Sequence, residues 1–215
     1  MTGLAQESRN ALQRSQASLE MLARRVHDRP DLAELIGRIQ RAQDDLHQLY
    51  EEVREYAAPV RYNYEICDLG KVVRESWDHL IPLWSQRDVQ FLIESNGFDL
   101  RCEADRFALR QAFRNVLENA LCACTDPTEI DVRFCAENIG GRPGICVALR
   151  NNGPPSTPEQ KLRFFDAFYT TKTHGTGLGM AICKRFVDAH CGRIQVGPAD
   201  DCGMELRITL PEKQT

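Results

Sequence analysis

Residues 165–180 read Phe-Asp-Ala-Phe-Tyr-Thr-Thr-Lys-Thr-His-Gly-Thr-Gly-Leu-Gly-Met, and this stretch decides how the chain is read. A polar, basic loop at 170–174 runs into three glycines at alternate positions, Gly175, Gly177 and Gly179. An apolar helical pattern follows at once through Met180, Ala181, Ile182, Phe186, Val187 and Ala189. Glycine lets backbone approach an anion and adopt positive φ. The first turn of a helix presents N–H groups and a positive dipole end. With Lys172 just upstream, the segment reads as a polyphosphate site beneath a lid. Alternating glycines also occur in ordinary turns, so the reading gains its weight from three other pieces in a fixed order.

The first piece is 114–120, Arg-Asn-Val-Leu-Glu-Asn-Ala, inside a helical pattern over about 106–124. Asn115 and Asn119 are four apart and share a helical face. Paired amides can hold a hydrated Mg²⁺ and phosphate oxygens without adding negative charge, since Mg²⁺ keeps several waters and takes few protein oxygens. Either asparagine alone would read as a surface or capping residue. The second piece, Asn151-Asn152-Gly153-Pro154-Pro155, ends a β-like run at 145–149, and a polar side chain there suits an adenine edge. The third, 202–211, alternates like a closing strand.

This order resembles the ATP-binding domain shared by sensor histidine kinases, type II topoisomerases and Hsp90 chaperones, over about 67–211. Residues 115–120 resemble the N box, 151–155 the first glycine box, 165–168 the F box and 175–179 the second glycine box. Phe-Tyr-Thr-Thr-Lys followed by Gly-Thr-Gly-Leu-Gly is the wording of the histidine kinases in particular. The resemblance implies ATP and Mg²⁺ as cofactors, with Mg²⁺ on Asn119 and phosphates near Asn115. It implies adenine at Asn151, and a cradle from Gly153, Phe168, Lys172, Gly175, Thr176, Gly177, Leu178 and Gly179. Two departures stand out. The family's usual aspartate is Asn151, which accepts a hydrogen bond without charge assistance. Its usual second glycine is Pro155, which stiffens the loop and removes an N–H. Weaker or altered nucleotide binding is expected.

The N-terminal third gives a separate pattern. Leu32, Leu35, Ile39, Ala42, Leu46, Leu49, Val53 and Tyr56 step by alternating threes and fours, a heptad seam. Leu12, Ser15, Leu19, Leu22 and Val26 form a matching seam before it. Between them, 27–31 holds a helix-stopping proline and an N-cap aspartate. The pattern predicts an antiparallel helical hairpin, and pairing of two hairpins into a homodimeric four-helix bundle buries both seams. A hairpin packed on its own globular domain is the alternative.

Residues 3–12 resemble the phosphoacceptor box of the histidine kinases, with Glu7, Arg9, Asn10 and Leu12 in place. The acceptor histidine is Gln6 here. A glutamine amide lone pair is delocalised into its carbonyl and makes no useful nucleophile, whereas imidazole keeps a free lone pair near neutrality. The chain as written is therefore expected not to phosphorylate itself at Gln6, and Glu7 has no histidine proton to accept. Two origins are open, a deliberate replacement and a naturally degenerate kinase; the intact flanking box favours the first. Asn10, one turn beyond Gln6, is the family's position for orienting a water in dephosphorylation of a partner aspartate. His27, His47, His79, His174 and His190 read as surface or packing residues.

The expected fold is α+β: residues 1–58 a dimerisation and phosphotransfer hairpin, 59–66 a linker, and 67–215 an ATP-binding domain built as a two-layer α/β sandwich of the histidine-kinase ATPase type. Within it, helices are expected near 69–85 (with a kink at Pro82), 106–124, 158–163 and 178–190. Strands are expected near 89–94, 130–135, 145–149, 193–196 and 204–210. The net charge of −4 gives no reason to expect nucleic acid or contact with an acidic membrane. Nine cysteines without Cys-x-x-Cys read as free thiols in a reducing cytoplasm. No run of 18 apolar residues and no signal peptide are seen. A cytoplasmic fragment of a longer sensor, membrane-anchored or not, is expected, with a response-regulator receiver domain as partner. The alternatives are a natural pseudokinase that scaffolds or dephosphorylates its regulator, and a topoisomerase- or chaperone-type ATPase. Asn115 stands where that last class carries a catalytic glutamate.

Overall fold

The structure, a computed structural model, describes residues 2–26, 29–57, 62–95, 97–172, 175–197 and 203–214; the side chains of residues 2–6, 8, 9 and 55 lie outside that description. The chain forms two compact units, one of residues 1–58 with 170–176, the other of 59–169 with 177–215.

The first unit is a pair of long helices, α1 (Thr2–Arg25) and α2 (Pro30–Ala57). They run antiparallel, with Arg29 N–H bonded to Val26 O at the turn (2.9 Å) and Gln43 Nε2 donating to Ser15 Oγ further along. The expected roles at the turn are corrected. Pro30 does not stop a helix but begins α2, where its missing N–H has no partner to lose. Asp31 sits inside the first turn rather than capping it, and pairs with Arg29 (Nη2 to Oδ2, 2.8 Å). His27 and Asp28 lie outside the described residues.

Within one chain the heptad seams are covered only in part. Among the described side chains of the pair, Leu19, a member of the first seam, and Ile36 are buried. Leu35, Ile39, Leu46 and Val53 of the expected seam are 51%, 48%, 52% and 39% exposed. A helix turns about 100° per residue, so Leu35 and Ile39 lie roughly 100° and 60° round α2 from Ile36, both to the same side of the face turned to α1.

The second unit is built on a five-stranded sheet, ordered β2 (Val89–Glu94), β4 (Thr128–Ile139), β5 (Arg142–Asn151), β7 (Met204–Pro211), β6 (Arg193–Val196). Only β2 and β4 run parallel; the other neighbours are antiparallel. A separate two-stranded sheet joins β1 (Glu65–Asp68) to β3 (Arg101–Ala104). The register puts Ile130, Val132 and Phe134 opposite Asn151, Leu149 and Val147, and these in turn opposite Met204, Leu206 and Ile208. Alternation sends that set to one face and Asp131, Arg133, Arg150 and Arg207 to the other.

Helices cover the apolar face: α3 (Leu69–Asp78), α5 (Arg106–Ala123) and α7 (Gly179–Ala189), with α5 between the other two. Short helices α4 (Ile81–Trp84) and α6 (Pro158–Arg163) lie in the connections. Phe113, Leu117 and Leu121 from α5 and Ile182 and Val187 from α7 are at most 1% exposed. Asp68 and Asp105 cap α3 and α5 by accepting from Lys71 N and Ala108 N (3.1 and 2.9 Å). The helix expected over 69–85 is two helices, because Pro82 takes an early position in α4 and leaves His79 and Leu80 as a corner.

Candidate functional site

Asn115 and Asn119 project from one side of α5, both half-buried. Asn115 Nδ2 donates to Gly179 O (3.1 Å), the first residue of α7. That bond joins two of the expected site pieces, separated by 64 residues. It also means the Asn115 amide holds backbone as well as standing where a phosphate is expected. No side-chain hydrogen bond caps α7 at Leu178, and the first turn of the helix carries backbone N–H groups and the positive end of the helix dipole. Leu178 is fully buried; of this site residue, only the backbone can face a ligand.

The base of the lid is fixed by glycine geometry. Gly177 has φ +70°, and a Cβ there would stand 2.6 Å from Phe168 C and 2.7 Å from Tyr169 N. Phe168 N–H in turn donates to Gly177 O (3.1 Å). The two ends of the segment therefore meet, and no side chain fits at Gly177. Phe168 itself holds a positive φ of 65° with its ring 62% exposed. Such a conformation costs energy in a non-glycine residue and persists where surrounding structure enforces it. Within 170–176, Lys172 N–H donates to Thr170 Oγ1 (3.1 Å), and Thr176 Oγ1 donates to Glu52 of α2. Gly175 belongs to this segment, with φ +150°. Thr173 and His174 lie outside the described residues.

Asn151 closes β5 on the helix-covered face and is 5% exposed. Its Oδ1 accepts Gly153 N–H (2.9 Å). Gly153 is pressed against the end of α5: a Cβ would lie 3.1 Å from Ala123 O and 3.2 Å from Cys124 Sγ. The neighbouring Asn152 is structural. Its Oδ1 accepts Glu129 N–H (3.0 Å) and its Nδ2 donates to Pro127 O (2.8 Å), tying the end of β5 to the start of β4. A cavity of about 330 Å³ at this end of the sheet is lined by Glu129, Asp131, Arg150 and residues 151–153 and 203. Its carboxylates stand on the open face, away from α5, and repel phosphate.

Three functional supports escaped the sequence reading. Arg87 reaches the C-terminal end of α5, where Nη1 donates to Leu121 O (2.8 Å) and Nη2 to Cys124 O (2.9 Å). It also pairs with Asp126 (2.8 Å), holding that carboxyl below its usual range. His190 is fully buried: Nε2 accepts Asp105 N–H (2.9 Å), and Nδ1 donates to Phe186 O (2.6 Å). Burial pushes its pKa below the ordinary histidine value. Tyr62 and Tyr64 set their rings edge-on to this imidazole, each at 5.3 Å, and Asn63 N–H donates to Asp105 Oδ2 (2.7 Å). Residues 62–66 were expected as linker, yet they are tied down here. No spacing rule links Arg87 or His190 to helices so far along the chain.

On α1, Glu7 and Asn10 are exposed and three residues apart. Gln6 lies on the α1 backbone, its side chain outside the described residues.

The helical pair at the N-terminus, the mixed sheet with helices on one face, and the asparagine-bearing helix docked to a glycine-rich helix start define an ATPase fold. Residues 104–214 match the family of histidine kinase-, DNA gyrase B- and HSP90-like ATPases, and the chain belongs to that family. Among curated relatives it is 26% identical over 211 residues to the signal transduction histidine-protein kinase AtoS of Escherichia coli K12, covering 98% of this chain and 34% of that protein. It is 28% identical over 211 residues to the sensor histidine kinase ZraS of Klebsiella oxytoca, covering 97% of this chain and 45% of that protein. The chain thus spans less than half the length of these relatives.

Solved structures agree. The catalytic domain of histidine kinase ThkA superposes with a TM-score of 0.63 at 29% identity, covering 70% of this chain and 97% of that one. ThkA in complex with the response regulator TrrA gives 0.71 at 22% identity, covering 97% and 61%. Full-length ShkA in complex with AMPPNP gives 0.69 at 23% identity, covering 83% and 38%. These last two likenesses concern the fold.

Proposed function

We propose that this chain is the cytoplasmic catalytic core of a two-component sensor histidine kinase, with autophosphorylation disabled by Gln6. On this reading residues 1–58 are the dimerisation and phosphotransfer hairpin, 59–66 the linker and 67–215 the ATP-binding domain. The observation that carries it is the Asn115–Gly179 bond, which joins α5 to the glycine-rich start of α7. ATP lies along the α5 face that carries Asn115 and Asn119. Its phosphates take the first-turn N–H groups of α7 and the charge of Lys172, and Asn151 meets the adenine. The neutral, half-buried Asn119 amide fits a hard, mostly hydrated cation, and Mg²⁺ when bound offsets phosphate charge. Positioning and electrostatics carry such phosphoryl transfer.

The binding claim is checked by calorimetric titration with ATP and Mg²⁺. Asn115→Ala is expected to weaken affinity about tenfold or more, as for loss of a hydrogen bond to a charged group. Unchanged affinity would remove Asn115 from the site. Because Asn151 lacks the charge of aspartate, Asn151→Asp is expected to tighten binding.

The helical pair supports a homodimer, since its Leu35, Ile39 and Leu46 remain uncovered. The partner of such a core is a response-regulator receiver domain, as ThkA has in its complex. The inactivation is tested with labelled ATP on this chain and its Gln6→His variant. Label on the variant alone supports a disabled kinase, and label on neither supports a docking scaffold. The exposed pair Glu7 and Asn10 favours one further reading, a phosphatase acting on the regulator. Asn10→Ala should abolish that activity; an unchanged dephosphorylation rate rejects it.

A further inference from the structure

Cys67 and Cys102 face each other across the small sheet, as direct partners in the antiparallel register of β1 and β3. Two residues along, Leu69 N–H donates to Leu100 O (2.9 Å). Ladder alternation therefore makes Cys67 and Cys102 a hydrogen-bonded pair, whose Cα atoms stand about 5.5 Å apart. That separation lies within the span a disulfide bridges, about 4.4–6.8 Å. Their mutual interaction, with the Arg106 charge assisting at Cys67, draws Cys67 below the ordinary thiol range and pushes Cys102 above it.

The pair also sits at a mechanical root. β1 runs directly into α3 through the Asp68 cap, and β3 into α5 through the Asp105 cap. Arg106, the first residue of α5, is ion-paired with Glu75 of α3. A covalent link between the strands would fasten the start of both helices.

We propose that Cys67 and Cys102 form a reversible regulatory dithiol, oxidised by low-molecular-weight disulfides of the glutathione class. Cys67 is 7% exposed against 1% for Cys102, so its sulfur meets the oxidant first. Its thiolate attacks one oxidant sulfur, the oxidant S–S bond breaks, and one thiol leaves. The Cys102 sulfur then attacks the Cys67 sulfur of the mixed disulfide and releases the second thiol. Two protein thiols are oxidised, one small disulfide is reduced, and the two protons end on the released thiols. A second directly opposed pair, Cys135 and Cys146, joins β4 to β5, which the sheet already holds together along the whole length of β5. This inference is independent of whether the chain binds nucleotide.

The test uses the whole native chain. It is incubated with oxidised glutathione, quenched by alkylation in denaturant, and mapped by mass spectrometry of peptides. The expected result is a peptide linked through 67 and 102, lost on treatment with dithiothreitol. The melting temperature is expected to rise by roughly 5–10 °C on oxidation and not to rise in Cys67→Ser. Should that variant not fold, the peptide map of the unsubstituted chain decides alone. Glutathione on the exposed Cys122 and Cys191 with Cys67 and Cys102 both still alkylated would overturn the proposal. So would a 67–102 link that forms only in denaturant.

Discussion

The helical pair and the α/β unit solve the same problem with unequal means. In the α/β unit, Phe113, Leu117, Phe134, Leu178 and Ile182 all fall at or below 1% exposure, because three helices close over one sheet face. In the pair, the two helices bury only Leu19 and Ile36 among the described side chains and leave a stripe of leucine, isoleucine and valine about half-exposed. A three-helix layer over a sheet encloses its apolar atoms; two cylinders touch along a line. The α/β unit closes its core within one chain, and the helical pair carries more apolar surface than its two helices cover.

That contrast breaks most sharply under charge. Ile39→Glu with Leu46→Glu is expected to weaken self-association roughly 100-fold or more, seen by sedimentation, since two carboxylates would enter the buried stripe. A parent chain that sediments as a monomer at ~100 μM, far above the range of a stable dimer, would erase the contrast altogether. On the other side of the contrast, Phe134→Ala should cost about 3–5 kcal/mol in the α/β unit through the cavity it opens. Urea unfolding measures it, and a loss below about 1 kcal/mol would mean the sheet–helix layer is loosely packed. Arg87→Ala should cost about 1–3 kcal/mol by leaving the Leu121 and Cys124 carbonyls without their donors. Arg87→Lys should recover only part, because one ammonium cannot reproduce the guanidinium fork.

The smallest expected effect concerns pH. His190 is held neutral in the fold, with its pKa below the ordinary 6.5. The unfolded chain therefore binds a proton first as pH falls, and the native state loses stability below about pH 6.5 while keeping all of it above. Protonation would also turn Nε2 into a donor against Asp105 N–H. Melting temperatures measured from pH 7.5 to 5 should fall for the parent chain and fall less for His190→Gln. Equal slopes would show that other groups dominate.

Much of the α/β unit was legible because its signals are local. Val89–Glu94, Pro158–Arg163 and Arg193–Val196 form where alternation, a Thr-Pro start and a β-branched run predict them. Asn115, Asn119, Asn151 and the glycines were legible as residue types in order. What was not legible depends on partners distant in sequence. β1 and β3 have four residues each and exist by pairing with each other. The heptad through Leu35 and Ile39 named apolar residues correctly, but facing is a property of two helices and not of one. That Asn152 clamps the end of β5 to β4 was not legible either, since its partners Glu129 and Pro127 lie over 20 residues away.

The sequence by itself determined most helices and strands and the order of the asparagines and glycines, because these follow from local patterning and short-range sterics. Only the tertiary structure decided that Asn115 grips Gly179, that His190 is buried between two tyrosines, and that Cys67 meets Cys102. Those contacts join residues 35 or more apart, and their geometry follows from packing whole helices and strands against one another, which no local pattern encodes.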